Sequence, residues 1–279
     1  MRSKNIFWFC LALQLMSSTV LAFIPPLKMI LSRTADNSGL GVYSIEQEVK
    51  FTDGNQDALI KESWFIENER TMKVHVQGLK ELKGLNLTYL YLNAQKWTKK
   101  NNQKEQIAIP EEFIEKWNHF RTGDALLSSL LNFKILPEDF FQKKELKPKS
   151  ANEDAFLKLS RTQGVIAYSL GDNKNYEQSP GRLWIEQDFF VIRKLRFNSG
   201  TEVYFDNYKT YSKDLHFPRE RLLKWGSNSV QIKTLSVSSK PSNSASLFSS
   251  QSLDSNNQSD ILFNHPLKSQ IEDFYTRFR

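Results

Sequence analysis

The chain has 279 residues, 39% of them hydrophobic and 25% charged, with a formal net charge of +7 and one cysteine. That is enough apolar material for one sizeable core or two modest ones, and one thiol excludes both a disulfide-built fold and a cysteine metal centre. Charges of both signs are interspersed except in the basic run Lys96 to Lys104, so a solvated face is the simplest reading, an anionic membrane surface is the partner a mild excess favours, and no nucleic-acid partner is expected.

Residues 1–22 read as a cleaved signal peptide. Arg2 and Lys4 form a positive start, Ile6 to Met16 a mostly apolar stretch, and Val20-Leu21-Ala22 a small-residue cleavage site. Gln14 and Ser17-Ser18-Thr19 interrupt the apolar stretch, which falls short of the ~20 apolar residues that span a bilayer. Cys10 follows Phe7-Trp8-Phe9 and does not resemble a lipid-attachment cysteine. The expected mature chain is therefore a soluble, thiol-free periplasmic protein beginning at Phe23. Without Arg2 and Lys4 the 38 basic residues fall to 36 against 31 acidic ones, a net charge of +5.

After Pro25-Pro26, Leu27, Ile30, Leu31 and Ala35 recur at helical spacing up to Asn37-Ser38-Gly39, which predicts one short amphipathic helix. The period then changes to two. Tyr43, Ile45, Gln47, Val49 and Phe51 alternate with polar residues, as do Ile60, Trp64 and Ile66 and then Met72, Val74 and Val76. Glu67-Asn68-Glu69-Arg70 is the expected hairpin connection, and Leu85 to Leu92 a fourth strand with both faces partly apolar.

Pro110-Glu111-Glu112 predicts the start of a helix carrying Phe113, Ile114, Trp117 and Phe120, followed after Gly123 by a second with Leu126, Leu127, Leu130 and Leu131. The lysine-crowded stretch Gln142 to Ser150 reads as an exposed connection. Six further strands are expected at Gly164 to Leu170, Arg182 to Gln187, Phe189 to Phe197, Thr201 to Tyr208, Phe217 to Trp225 and Ser229 to Val237. Beyond Ser238, Ser, Asn, Gln and Lys dominate until about Asp260, which predicts a linker over 239–260. Residues 261–279 are expected to form a short terminal helix with Ile271, Phe274 and Phe278 on one side.

Catalytic chemistry is hard to find. His75, His119, His216 and His265 are far apart, with no two at the spacing of a helical metal site. No Gly-x-Ser-x-Gly elbow or phosphate-cradling glycine loop occurs, and Glu111-Glu112 and Glu138-Asp139 follow prolines, where carboxylates favour helix starts. A non-enzymatic protein with no cofactor and no metal is expected.

The segment Arg182 to Phe197 resembles a hairpin common in periplasmic outer-membrane lipoprotein-sorting proteins, the LolA-like family. Val203 to Tyr208, Phe217-Pro218-Arg219 and Val230 to Lys233 are similar to its following strands, and Tyr43 to Val49 and Glu62 to Ile66 to its first ones. The resemblance covers most of residues 27 to 237 and implies an α+β fold: a curved antiparallel sheet, an incomplete barrel, with helices on its concave side. Residues 23–238 are then one lipid- or lipoprotein-binding domain.

The function implied is a carrier or chaperone for acyl chains, because a half-barrel too open to fill itself leaves apolar surface that a lipid covers. Candidate inner-face ligand contacts are Trp64, Ile66, Met72, Val74, Val76, Tyr89, Leu183 and Ile185. Arg70 is the nearest equivalent, by position, of the family's cavity-closing arginine. The alternative is an envelope scaffold with a filled core, docking on membrane-protein partners through its surface and the tail bearing Phe274, Tyr275 and Phe278.

Overall fold

The computed structural model describes residues 24–54, 56–100, 103–137, 141–142, 147–148, 153–174, 180–240, 244–253, 259–260 and 265–279. The signal-peptide reading, Glu138-Asp139 and most of the stretch Gln142 to Ser150 lie outside them. Helix α1 (Leu27–Asp36) opens the fold and buries Leu27, Ile30, Leu31 and Ala35, the residues whose spacing predicts it. Strands β1 (Val42–Asp53), β2 (Gln56–Asn68), β3 (Thr71–Gly78), β4 (Leu85–Leu92), β5 (Gln95–Lys100) and β6 (Gln103–Ala108) follow as a meander.

The middle of the chain supplies α2 (Gly123–Asn132) and a two-stranded pair, β7 (Phe141–Gln142) with β8 (Lys147–Pro148). A second meander then runs through β9 (Leu157–Thr162), β10 (Val165–Gly171), β11 (Arg182–Glu186), β12 (Ile192–Arg196), β13 (Glu202–Thr210), β14 (His216–Trp225) and β15 (Asn228–Lys240). β15 pairs antiparallel with β1 and joins the two meanders into one sheet, in the order β6-β5-β4-β3-β2-β1-β15-β14-β13-β12-β11-β10-β9. The two ends of this order do not pair, so the sheet is an incomplete barrel with helices on its concave side. No helix among the described residues is long and apolar enough to cross a membrane.

Register explains why the apolar residues share a face. Ile45 lies opposite Trp64, Trp64 opposite Val74, and Val74 opposite Tyr89, so the period-two residues of four strands form one row. Asn68 Oδ1 accepts hydrogen bonds from the backbone N–H groups of Arg70 and Thr71 and closes the β2–β3 turn.

Two expectations are corrected. Residues 110–120 form no α-helix, only a 3-10 turn at Glu115–Asn118. A helix buries one stripe, whereas Glu112, Phe113, Ile114, Glu115, Trp117, Asn118, His119 and Phe120 are all buried. The basic run Lys96 to Lys104 is not wholly a solvated face: it lies in a hairpin, β5–β6, in which Lys96 and Thr98 are buried while the edge strand β6 is exposed throughout.

The described parts of the tail pack on the sheet. Two 3-10 turns, Ser244–Phe248 and Ser250–Leu253, bury Phe248 and Leu253 on the convex face against Val42 and Leu90. β16 (Ser259–Asp260) pairs with the start of β4, and helix α3 (Lys268–Arg277) enters the concave side.

Candidate functional site

All eight inner-face candidates, Trp64, Ile66, Met72, Val74, Val76, Tyr89, Leu183 and Ile185, are buried in one cluster with the helices. The chain itself covers them. Phe113 stacks on Tyr91 with ring centroids 4.5 Å apart, and Tyr91 on Trp64 at 6.0 Å. From α3, Phe274 meets the Phe51 ring edge-on at 5.3 Å, and Phe278, just past the helix, meets Trp225 at 5.1 Å. Each such contact adds to the area already removed from water.

Beneath this aromatic layer lies a buried ionic cluster. Arg279 grips Glu62 in a bidentate pair, Nε to Oε1 at 3.0 Å and Nη2 to Oε2 at 3.1 Å, and lies 3.6 Å from Glu115. Arg221 donates to Glu115 at 2.9 Å and to Gln47, and Gln47 Nε2 donates to Glu115 Oε1 at 3.2 Å. Trp64 Nε1 also donates to Glu62 Oε2 at 2.9 Å.

Burial alone would raise the Glu115 pKa, but Arg221, His119 and Arg279 outweigh it and hold the carboxyl well below the usual carboxylate range. Burial pulls Arg279 down, and Glu62 and Glu115 push it back above the ordinary guanidinium value. The readable signal was a charge in phase with apolar neighbours, since Glu62 falls between Ile60 and Trp64 on the inner face. Which charge answers it was not readable, because Glu115, Arg221 and Arg279 converge only in space.

A cavity of about 870 Å³ opens at the rim, bounded by the β2–β3 and β4–β5 turns, residues 109–113, α2 and the turn after β12. Ile109, Phe113, Phe133 and Phe197 are among its apolar lining, and Glu69, Arg70, Glu111 and Glu112 among its polar lining. Lys116 also lines it, with Nζ 4.1 Å from the Phe133 ring centroid. Burial lowers the Lys116 pKa to about 8, the nearby Glu69 opposing and Arg70 adding to the shift. None of the eight inner-face candidates lines this cavity, but Arg70 does.

Arg70 is 70% exposed and faces Glu69 at 3.5 Å. The guanidinium that ties the rim together belongs to Arg121. It donates to the carbonyls of Ser38, Gly39 and Gly41 before β1 and of Glu67 at the end of β2, and it stacks over Tyr43 at 5.8 Å. Gly39 has φ +66, and a Cβ there would lie 2.2 Å from the Tyr43 hydroxyl, so only glycine presents its carbonyl in this way.

The histidines do not converge. His75 Nδ1 lies 3.2 Å from the Thr88 hydroxyl, and burial lowers its pKa. His119 is fully buried, stacked on Phe217 and 3.8 Å from Glu115, and burial lowers its pKa too. Among the described residues no group of three or more His, Cys, Asp or Glu side chains is placed to hold a metal ion.

No protein-family model matches the chain. No curated protein matches it in sequence either. Solved structures match in fold. A LolA superfamily protein of Nitrosomonas europaea superposes with a TM-score of 0.53 at 8% identity, covering 82% of this chain and all 100% of that one. A domain described as an outer membrane lipoprotein-sorting protein, from Vibrio parahaemolyticus, gives 0.50 at 14% identity over 82% of this chain and 97% of that one. A DUF1329 family protein of Desulfovibrio piger gives 0.50 at 10% identity over 82% and 100%. The fold implied by the sequence resemblance is the fold observed, and the likeness extends to fold alone.

Proposed function

We propose that the protein is a non-enzymatic carrier or chaperone of the cell envelope that holds the acyl chains of a lipid or lipoprotein. The observation that carries this reading is the rim cavity of about 870 Å³, whose mixed lining sets Ile109, Phe113, Phe133 and Phe197 beside charged side chains. Its size lies within the roughly 300–1,000 Å³ of small-molecule sites. Each methylene buried there contributes ~0.8 kcal/mol, and Lys116 offers a cation to a polar or anionic head group. The LolA-like fold supports the same reading, since one neighbour is described as a lipoprotein-sorting domain. Residues 1–22, read as a signal peptide, put the site of action in the periplasm.

Gently purified protein should carry lipid in native mass spectrometry and take up pyrene-labelled palmitic acid. Protein with no bound lipid and no uptake would overturn the proposal. A filled-core interaction module is the second reading, favoured by α3 and residues 112–120 occupying the concave face. Such a module takes up no fatty acid, so the same measurement separates the two.

A further inference from the structure

We propose that α3 and the Phe278-Arg279 pair after it are a plug held in cis, and that an acyl chain seated in the rim cavity extends into the space this segment occupies by displacing it. The proposal rests on the carrier reading and names how its site is opened. The segment is the last part of the described chain to reach the concave side, after all thirteen strands of the main order are in place. It arrives by a separate route, over the convex face through Phe248 and Leu253 and past the start of β4. No residue of the segment takes part in a strand pairing of that order.

Its hold is specific yet imperfect. Ile271, Phe274, Tyr275 and Phe278 are buried, and the end is fixed by polar bonds. Besides the Glu62 pair, Lys96 Nζ donates to the Arg279 carbonyl oxygen at 2.6 Å, and Trp225 Nε1 donates to Asp273 at 2.6 Å. A buried ion pair gives registry more surely than net stability, because desolvation cancels much of the attraction. The Tyr91 hydroxyl, buried beside Trp64, has no hydrogen-bond partner among the described residues, and an unpaired buried hydroxyl costs stability. α3 has no side-chain N-cap bond and no acidic residue in its first turn, so a helix of this length holds its shape only while docked.

The rim cavity and the plug share a wall. Glu112 lines the cavity and accepts from Arg277 Nε at 2.7 Å, and Phe113 lines it while stacking on Tyr91. The Ile114 backbone N–H donates to the Phe278 carbonyl at 3.5 Å. A chain pushing in from the rim therefore displaces first the groups that hold the plug. Once the segment leaves, the Phe51, Trp64 and Trp225 rings line the vacated space as a surface for alkyl chains, and the Glu62 carboxylate and Lys96 are left at its polar end.

The test locks the plug in the full chain. Gln270 Nε2 lies 3.2 Å from the Ser229 carbonyl oxygen, so in a Cys10→Ser background a short, thiol-cleavable cross-linker between Ser229→Cys and Gln270→Cys ties α3 down without moving it. The probe is pyrene-labelled palmitic acid. The uncross-linked double variant should take it up as the wild type does, the cross-linked form should fall to background, and dithiothreitol should restore uptake.

Equal uptake by the cross-linked form overturns the plug and leaves the carrier reading standing. No uptake by any form overturns both. Hydrogen exchange of residues 268–277 gives a second measure: the fatty acid should speed it in the wild type, and unchanged or slower exchange with ligand bound counts against displacement.

Discussion

Arg121 joins three segments that are remote in sequence, and its guanidinium serves four backbone carbonyls that no other described side chain reaches. Hydrogen bonds to a charged group contribute about 1.5–3 kcal/mol each at most, and shared donors do not add fully. Arg121→Met should lower unfolding stability in urea by about 2–3 kcal/mol, and Arg121→Lys should recover little, because a point charge cannot fork between carbonyls. The Glu62–Arg279 pair gives a sharper test. Glu62→Leu alone leaves Arg279 short of its main partner in the core and should cost about 3–5 kcal/mol, whereas adding Arg279→Met should recover most of that loss. A double cycle with no recovery would mean that the pair is not what holds the end of the chain. Glu115 sets a pH dependence. Its folded pKa is depressed below 4.5, so its contribution is complete above that pH and is lost as pH falls towards the folded value. Urea midpoints should decline from about pH 4.5 downwards, and Glu115→Gln should be weaker at neutral pH and flatter in acid.

Elements with a strict period were legible, and those built by convergence were not. β1, β2, β3 and β15 follow apolar alternation closely because each has one face against the core, and β4, β10 and β11 were legible as apolar runs, buried over most of their length. β5 and β6 escaped because a polar edge hairpin has no such alternation and reads as a charge run. Residues 110–120 misled in the opposite direction: Phe113, Ile114, Trp117 and Phe120 have helical spacing, but total burial selects an irregular path whose N–H groups bond to Pro110, Phe278, Ile114 and Lys116. The eight apolar candidates were legible as one face, while the charges among them had no readable partner. α3 was legible as an amphipathic helix, and its apolar side faces the sheet of its own chain. Phe274→Ala should therefore cost about 3–5 kcal/mol, as for any large aromatic in a core. Phe189, 62% exposed, provides the control, and Phe189→Ala should stay within about 0.5 kcal/mol. Equal effects in thermal unfolding would mean that α3 is not docked in solution.

A sheet that does not close cannot fill its concave side with strand residues alone, so something else must cover it. Here three pieces of the chain do so: α1 with α2, residues 112–120, and α3. Together they leave the rim cavity, bounded on one side by α2. That boundary allows entry to be tested without disturbing the core. Ser128 lines the cavity from a half-buried position on α2, and a larger side chain there projects into open space rather than into packed atoms. Ser128→Trp should leave unfolding stability within about 1 kcal/mol, because surface changes away from caps and cores are small. It should nonetheless remove uptake of pyrene-labelled palmitic acid, since the same volume cannot hold an indole and an alkyl chain. In the wild type, ligand at about 100 times its Kd should add about 2.7 kcal/mol to stability and raise the thermal midpoint. That rise should be absent in Ser128→Trp. A variant that still gains stability from the fatty acid would show that acyl chains reach the concave side by another route, and the rim would then lose its role in the mechanism.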